Sequence, residues 1–164
     1  VLMDMQWICN IIKSRSSRQA LAMVLFLFVF VPEVQLTTRL LYTDAQTMQQ
    51  DYQKFVSIYD RAMEMGASPG DVLYIHGGQG NFVDETILET EVVGFSYFEF
   101  TGMVQENTHK AIQAMRAYGL NVSAPDASQV EKGRELAKDL TIWPDSQSMA
   151  VLPEEHLIVV KAGD

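Results

Sequence analysis

Residues 20–31, ALAMVLFLFVFV, contain no polar side chain, and this run constrains the chain more than any other feature. Lys13, Arg15 and Arg18 precede it, and Pro32 and Glu33 close it. In a small acidic protein a run this dense must be covered by lipid, by other apolar helices or by the protein's own core. Ala20, Leu21, Val24, Leu25, Phe26, Leu27, Phe28, Val29, Phe30 and Val31 are therefore read as a membrane anchor. A full helical span wants about 20 apolar residues, and Val34 and Leu36 lengthen the run if Glu33 and Gln35 lie at the headgroup level.

Two other readings compete with the anchor. FLFVFV is β-branched and aromatic, which also suits a central strand covered on both faces. A signal-peptide core has a similar length, but the following VPEVQLT offers no small-residue cleavage site. The anchor is preferred because basic residues crowd one flank while an acid opens the other. The positive-inside tendency then puts the N-terminus in the cytoplasm and residues from 37 onward in the opposite compartment. The expected organisation is a cytoplasmic tail and single-pass signal anchor over residues 1–36, followed by an acidic extracytoplasmic α+β domain over 37–164.

The formal net charge is −9, and the basic residues after position 38 do not cluster, so the footprint of a phosphate-binding surface is missing and nucleic acid is not an expected partner. Cys9 is the sole cysteine, which leaves neither an intrachain disulfide nor a cysteine-based metal site for this chain alone. The domain has to be held by packing.

Leu41, Ala45, Met48, Tyr52, Phe55, Tyr59 and Ala62 recur at alternating spacings of four and three, the mark of an amphipathic helix. Gly66, Ser68, Pro69 and Gly70 stop it. No strong breaker lies between Thr37 and Glu64, so the helix can run straight on from the apolar run as one long N-terminal helix, with Pro32 tolerated as a kink. The stripe Met48, Tyr52, Phe55 and Tyr59 is expected to pack against a sheet of its own domain, with an intermolecular seam as the alternative.

Strands are expected at residues 71–76 (DVLYIH), 90–101 (TEVVGFSYFEFT) and 156–161 (HLIVVK). The first two, joined through the turn-rich GGQGN at 77–81, suggest antiparallel pairing. Val104, Thr108, Ala111, Ile112, Met115 and Tyr118 trace a helix closed by Gly119, and Ser128 with Glu131 reads as a capping box opening a further helix through Leu140. The result is a long helix, a small antiparallel sheet and two further helices.

Candidate chemistry is sparse. HGGQG at residues 76–80 is the kind of loop that lines an oxyanion hole, as in the HGGG loop of esterases. A nucleophile elbow is missing, because Gly94-Phe95-Ser96-Tyr97-Phe98 lacks its second glycine, and a tight turn is preferred. His76, His109 and His156 have no second ligand at metal spacing. The acids Asp84, Glu85, Glu89 and Glu91 read as a solvated face, and Asn121-Val122-Ser123 satisfies a glycosylation sequon. No catalytic, cofactor or metal residue is assigned.

Residues 17–32, SRQALAMVLFLFVFVP, resemble the start of TadE-like pilus-assembly proteins, in which a basic residue and a short Q-A-L entry lead into a hydrophobic helix ending near proline. The glutamate usual a few residues into that helix is replaced here by apolar side chains. The resemblance implies greasy helices packed within a membrane or fibre and a pilin-like domain used for protein contacts. The expected function is a membrane-anchored, non-enzymatic structural or assembly subunit whose partners are other protein subunits and the lipid bilayer. The alternatives are an accessory subunit of a large energy-transducing membrane complex, and an extracytoplasmic hydrolase using His76.

Overall fold

The computed structural model describes residues 15–78, 96–98 and 105–163. Its elements, in chain order, are α1 (Arg15–Glu64), β1 (Val72–His76), α2 (Gln105–Ala117), α3 (Ala127–Ala137), β2 (Met149–Leu152), a 3₁₀ turn (Pro153–Glu155) and β3 (Leu157–Lys161). This is the expected α+β fold. By internal contacts the chain falls into two compact units, Val1–Tyr42 and Thr43–Asp164. Most of the expected strand over 90–101, the acidic run from Asp84 to Glu91, Cys9 and Lys13 lie outside the described residues.

The apolar run is helical, so the central-strand reading of FLFVFV is overturned. α1 runs for 50 residues through Pro32. It stops where glycine allows a left-handed cap: Gly66 has φ +97°, and the Ala67 N–H reaches back to the Ala62 carbonyl at 3.0 Å. Gly119, at φ +85°, closes α2 in the same way, with the Leu120 N–H bonded to the Met115 carbonyl at 3.0 Å. At α3 the box sits two residues earlier than expected. Asp126 caps the Gln129 N–H, and the Gln129 side chain returns the bond to the Asp126 N–H. An Asp carboxylate one residue before the helix accepts better than a hydroxyl already inside its first turn. α3 accordingly ends at Ala137, short of Leu140.

The sheet is mixed, with strand order β1-β3-β2. β1 pairs with β3 in parallel, Val72 facing Leu157 and His76 facing Lys161. β2 pairs with β3 antiparallel, from Met149 opposite Val160 to Leu152 opposite Leu157. The expected wholly antiparallel sheet is thus corrected, and the strand β2 is new. Ser96–Phe98, expected within a strand, form a turn.

Period-two alternation lets β3 serve two cores at once. Ile158 and Val160 join Leu73 and Ile75 under Phe55, Ile58 and Ala62 of α1 and Ala111, Ile112 and Met115 of α2. On the opposite face Leu157 and Val159 join Tyr74 beneath Ala137 of α3. Gly133 is what lets α3 approach, since a Cβ there would overlap the Tyr74 ring.

Candidate functional site

Two stretches of α1 have unusual surroundings, and each follows from residue chemistry. In the first, no residue of the apolar run is buried, and exposures range from 42% at Leu21 to 78% at Phe28. A helix apolar on every side needs cover on every side. Ala20, Leu21, Val24, Leu25, Phe26, Leu27, Phe28, Val29, Phe30 and Val31, the residues expected to anchor the chain, are all exposed on this helix, and Phe26 and Phe30 stack at 5.0 Å between ring centres one turn apart. By length and composition α1 is long and apolar enough to cross a membrane, and it lies near the N-terminus. From Arg18 to Arg39 the helix rises about 31 Å at 1.5 Å per residue, close to the thickness of a bilayer's hydrocarbon core. Glu33 and Gln35 fall within the last two turns before Arg39, close enough to that end for a long polar side chain to reach the headgroups if the helix crosses a bilayer. Pro32 removes a single backbone donor, a loss that membrane helices tolerate.

In the second stretch, within the unit that starts at Thr43, the face of α1 turned inward is not the expected one. Phe55 is fully buried and Tyr59 half-buried, as the stripe requires, but Met48 is 51% and Tyr52 44% exposed. The buried positions are Thr43, Thr47, Asp51, Phe55, Ile58 and Ala62. One residue along a helix is a rotation of about 100°, so moving from 48 and 52 to 47 and 51 puts the polar residues inside and leaves the apolar ones outside.

The reason for this rotation is visible at Asp51. Its carboxylate, 1% exposed, accepts the Ser96 hydroxyl at 2.6 Å and the Tyr97 N–H at 2.9 Å. The Ser96 Oγ in turn accepts the Phe98 N–H at 3.1 Å. A buried carboxylate with two donors is satisfied, and the bonds hold the Ser96–Phe98 turn against α1, where Phe98 packs on Phe55 at 5.0 Å between ring centres. Lys54 Nζ lies 5.4 Å above the Phe98 ring. Burial pulls the Lys54 ammonium below the ordinary lysine value, and the nearby Asp51 charge offsets part of that. A water-sized cavity of about 10 Å³ beside them is lined by Lys54, Ile58, Phe98, Trp143 and Ala162, too small for a substrate.

His76 and His156 lie at opposite ends of the paired strands β1 and β3. His76 is half-buried at the end of β1, its Nδ1 3.2 Å from the Tyr74 hydroxyl. The glycines beside it answer a steric need: Gly77 has φ +71°, and a Cβ there would run into the Gly163 backbone. Gly163 faces the Gly78 backbone just as closely, and the Ala162 N–H bonds to the His76 carbonyl at 2.7 Å. These glycines serve close backbone packing. His156, exposed and at φ 52°, sets its Nδ1 2.8 Å from Asp71, whose other oxygen accepts the Ser68 N–H at 2.8 Å. Among the described residues no three His, Cys, Asp or Glu side chains gather as metal ligands. Neither the Asp51 nor the Asp71 pair has a sequence signature, since each joins residues 45 and 85 positions apart.

Comparison with known protein families, with characterised proteins and with solved structures finds no match.

Proposed function

We propose that this chain is a single-pass membrane protein acting as a non-enzymatic structural or assembly subunit, pilin-like in the sense of the TadE-like resemblance. Its N-terminus lies in the cytoplasm and the unit from Thr43 onward in the opposite compartment. One observation carries the reading: between Arg18 and Arg39, about a bilayer's thickness apart, the helix holds the apolar run 20–31 with no buried residue and Glu33 as its one charged side chain. Lys13, Arg15 and Arg18 on the N-terminal flank support the orientation, since cationic residues near a span are retained on the cytoplasmic side. A role in assembly is supported by the acidic unit beyond the anchor, whose outward α1 face carries Met48 and Tyr52.

Cys9, the sole cysteine, reports the orientation without any substitution. In membrane vesicles of known sidedness that resist alkaline carbonate, a membrane-impermeant maleimide should label Cys9 only from the cytoplasmic face. Labelling from the other face reverses the orientation, and release of the chain by carbonate removes the anchor. Purification from native membranes in mild detergent should retain other protein subunits. A chain that purifies alone and monomeric defeats the assembly role.

A further inference from the structure

The α1 face carrying Met48 and Tyr52 has the reverse of ordinary amphipathicity. Thr43, Thr47 and Asp51 are buried within their own unit, while Ala45, Met48 and Tyr52 are exposed. Tyr52, 44% exposed, meets the half-exposed Tyr118 edge-on at 5.0 Å. An isolated soluble domain gains by the opposite arrangement, so an outward apolar stripe marks a contact surface.

We infer that this face is the seam of a parallel pair with a second copy of this chain. The inference rests on the membrane reading above. The first argument is the period. Leu41, Ala45, Met48 and Tyr52 are spaced four, three and four, and the same 3.5-residue repeat runs back through Thr38, Val34, Val31, Leu27 and Val24 without meeting a charged residue. Glu33, Arg39 and Asp44 all fall off it. The hydroxyl of Thr38, the polar member of the repeat, donates to the Val34 carbonyl one turn back at 2.7 Å and so makes no demand on a partner.

The second argument is charge. Copies of a chain with net charge −9 repel, and they can approach only along a face nearly free of acids. The positions flanking the seam beyond Arg39 are Tyr42, Asp44, Gln49 and Asp51, of which Asp51 is buried in its own unit, and a parallel in-register pair sets Asp44 beside the partner's Gln49, with no like charges opposed. A shared bilayer orients all copies alike, which selects the parallel pair. The seam ends at Tyr52 because the next member of the repeat, Phe55, belongs to the chain's own core. The few exposed residues from Leu41 to Tyr52 fall well short of the roughly 1,200 Å² of a stable interface in solution, so pairing needs the membrane segment.

The test is disulfide formation in isolated membranes holding the full chain. In a Cys9→Ser background, Ala45→Cys and Met48→Cys on the seam are compared with Gln46→Cys and Gln53→Cys off it, using copper-phenanthroline as oxidant. The expected result is an adduct of twice the chain mass at the seam positions and its loss at the others. Met48→Glu placed in the Ala45→Cys chain should abolish the adduct while leaving protease resistance intact. Equal cross-linking at all four positions means random collision and overturns the inference. An adduct of any other mass overturns it in favour of a different protein, and no adduct from carbonate-resistant chain overturns it in favour of a lipid- or solvent-facing stripe. Chain released by carbonate defeats the membrane reading as well, which separates the two failures.

Discussion

Asp51 shows how one buried carboxylate sets the rotation of a long helix. Replacing it by Ala strands the Ser96 hydroxyl and the Tyr97 N–H, and each buried unpaired group costs about 1–3 kcal/mol. Asp51→Ala should therefore lower the urea midpoint of the full chain in mild detergent, and so should Ser96→Ala, which strands the Phe98 N–H and one carboxylate oxygen. Because both act through one network, the double variant should lose less than the sum of the two, and full additivity would show that the carboxylate and the hydroxyl hold the turn independently. Glycine contributes in another way at the end of β1. A side chain at Gly163 must displace the Gly78 backbone, so Gly163→Ala should destabilise at least as strongly as the loss of a buried methyl pair. Gly119→Ala, with open space around it, should cost only its left-handed strain of about 1 kcal/mol.

Elements are held by faces, and the two faces of α1 beyond Thr43 predict opposite outcomes. Phe55→Ala empties a fully buried position and should cost about 3–5 kcal/mol in thermal or urea unfolding, whereas Gln53→Ala and Met48→Ala on exposed positions should each fall within about 0.5 kcal/mol in a monomer. A large loss from Met48→Ala in a monomer would mean that the stripe packs internally after all. At α3 the cap gives a pH signature. Hydrogen bonds from the Gln129 N–H and the Ser128 hydroxyl hold the Asp126 carboxyl below its ordinary 3.8, and those from the Gln147 N–H and the Thr141 hydroxyl do the same for Asp145. A depressed carboxyl stabilises the folded state above the unfolded value and loses that contribution as pH falls through the folded value. Asp126→Asn should therefore melt lower than wild type at pH 7, with the gap closing below pH 3.8. A gap that stays constant with pH would show that the charge is irrelevant to the cap.

For the whole molecule, the unit from Thr43 to Asp164 carries both cores, and none of its core side chains comes from the apolar run. Deleting residues 1–36 should yield a soluble, cooperatively folding fragment, and by the seam argument a monomeric one at any ordinary concentration. Sedimentation and a melting curve measured over a range of concentrations check both points. An insoluble or unfolded fragment would place residues 20–36 in the core, and a concentration-dependent melting point would show that the aqueous part of the seam pairs unaided.

The elements legible in the sequence are those whose cause is local. The apolar run, the 3.5 to 3.6 residue period of α1, the glycines at 66 and 119 and the β-rich HLIVVK depend on neighbours within a few residues, and α1, α2, β1 and β3 follow from them. β2 escaped notice because MAVL is short and has no period. Its place is decided by β3, which needs a neighbour on the edge away from β1. The parallel pairing of β1 with β3 was equally illegible, since pairing follows from which apolar faces the helices cover. The inward face of α1 is the sharpest case. Period alone favours Met48 and Tyr52, whereas hydrogen bonds from Ser96 and Tyr97, far along the chain, hold Asp51 inward and leave that stripe outward.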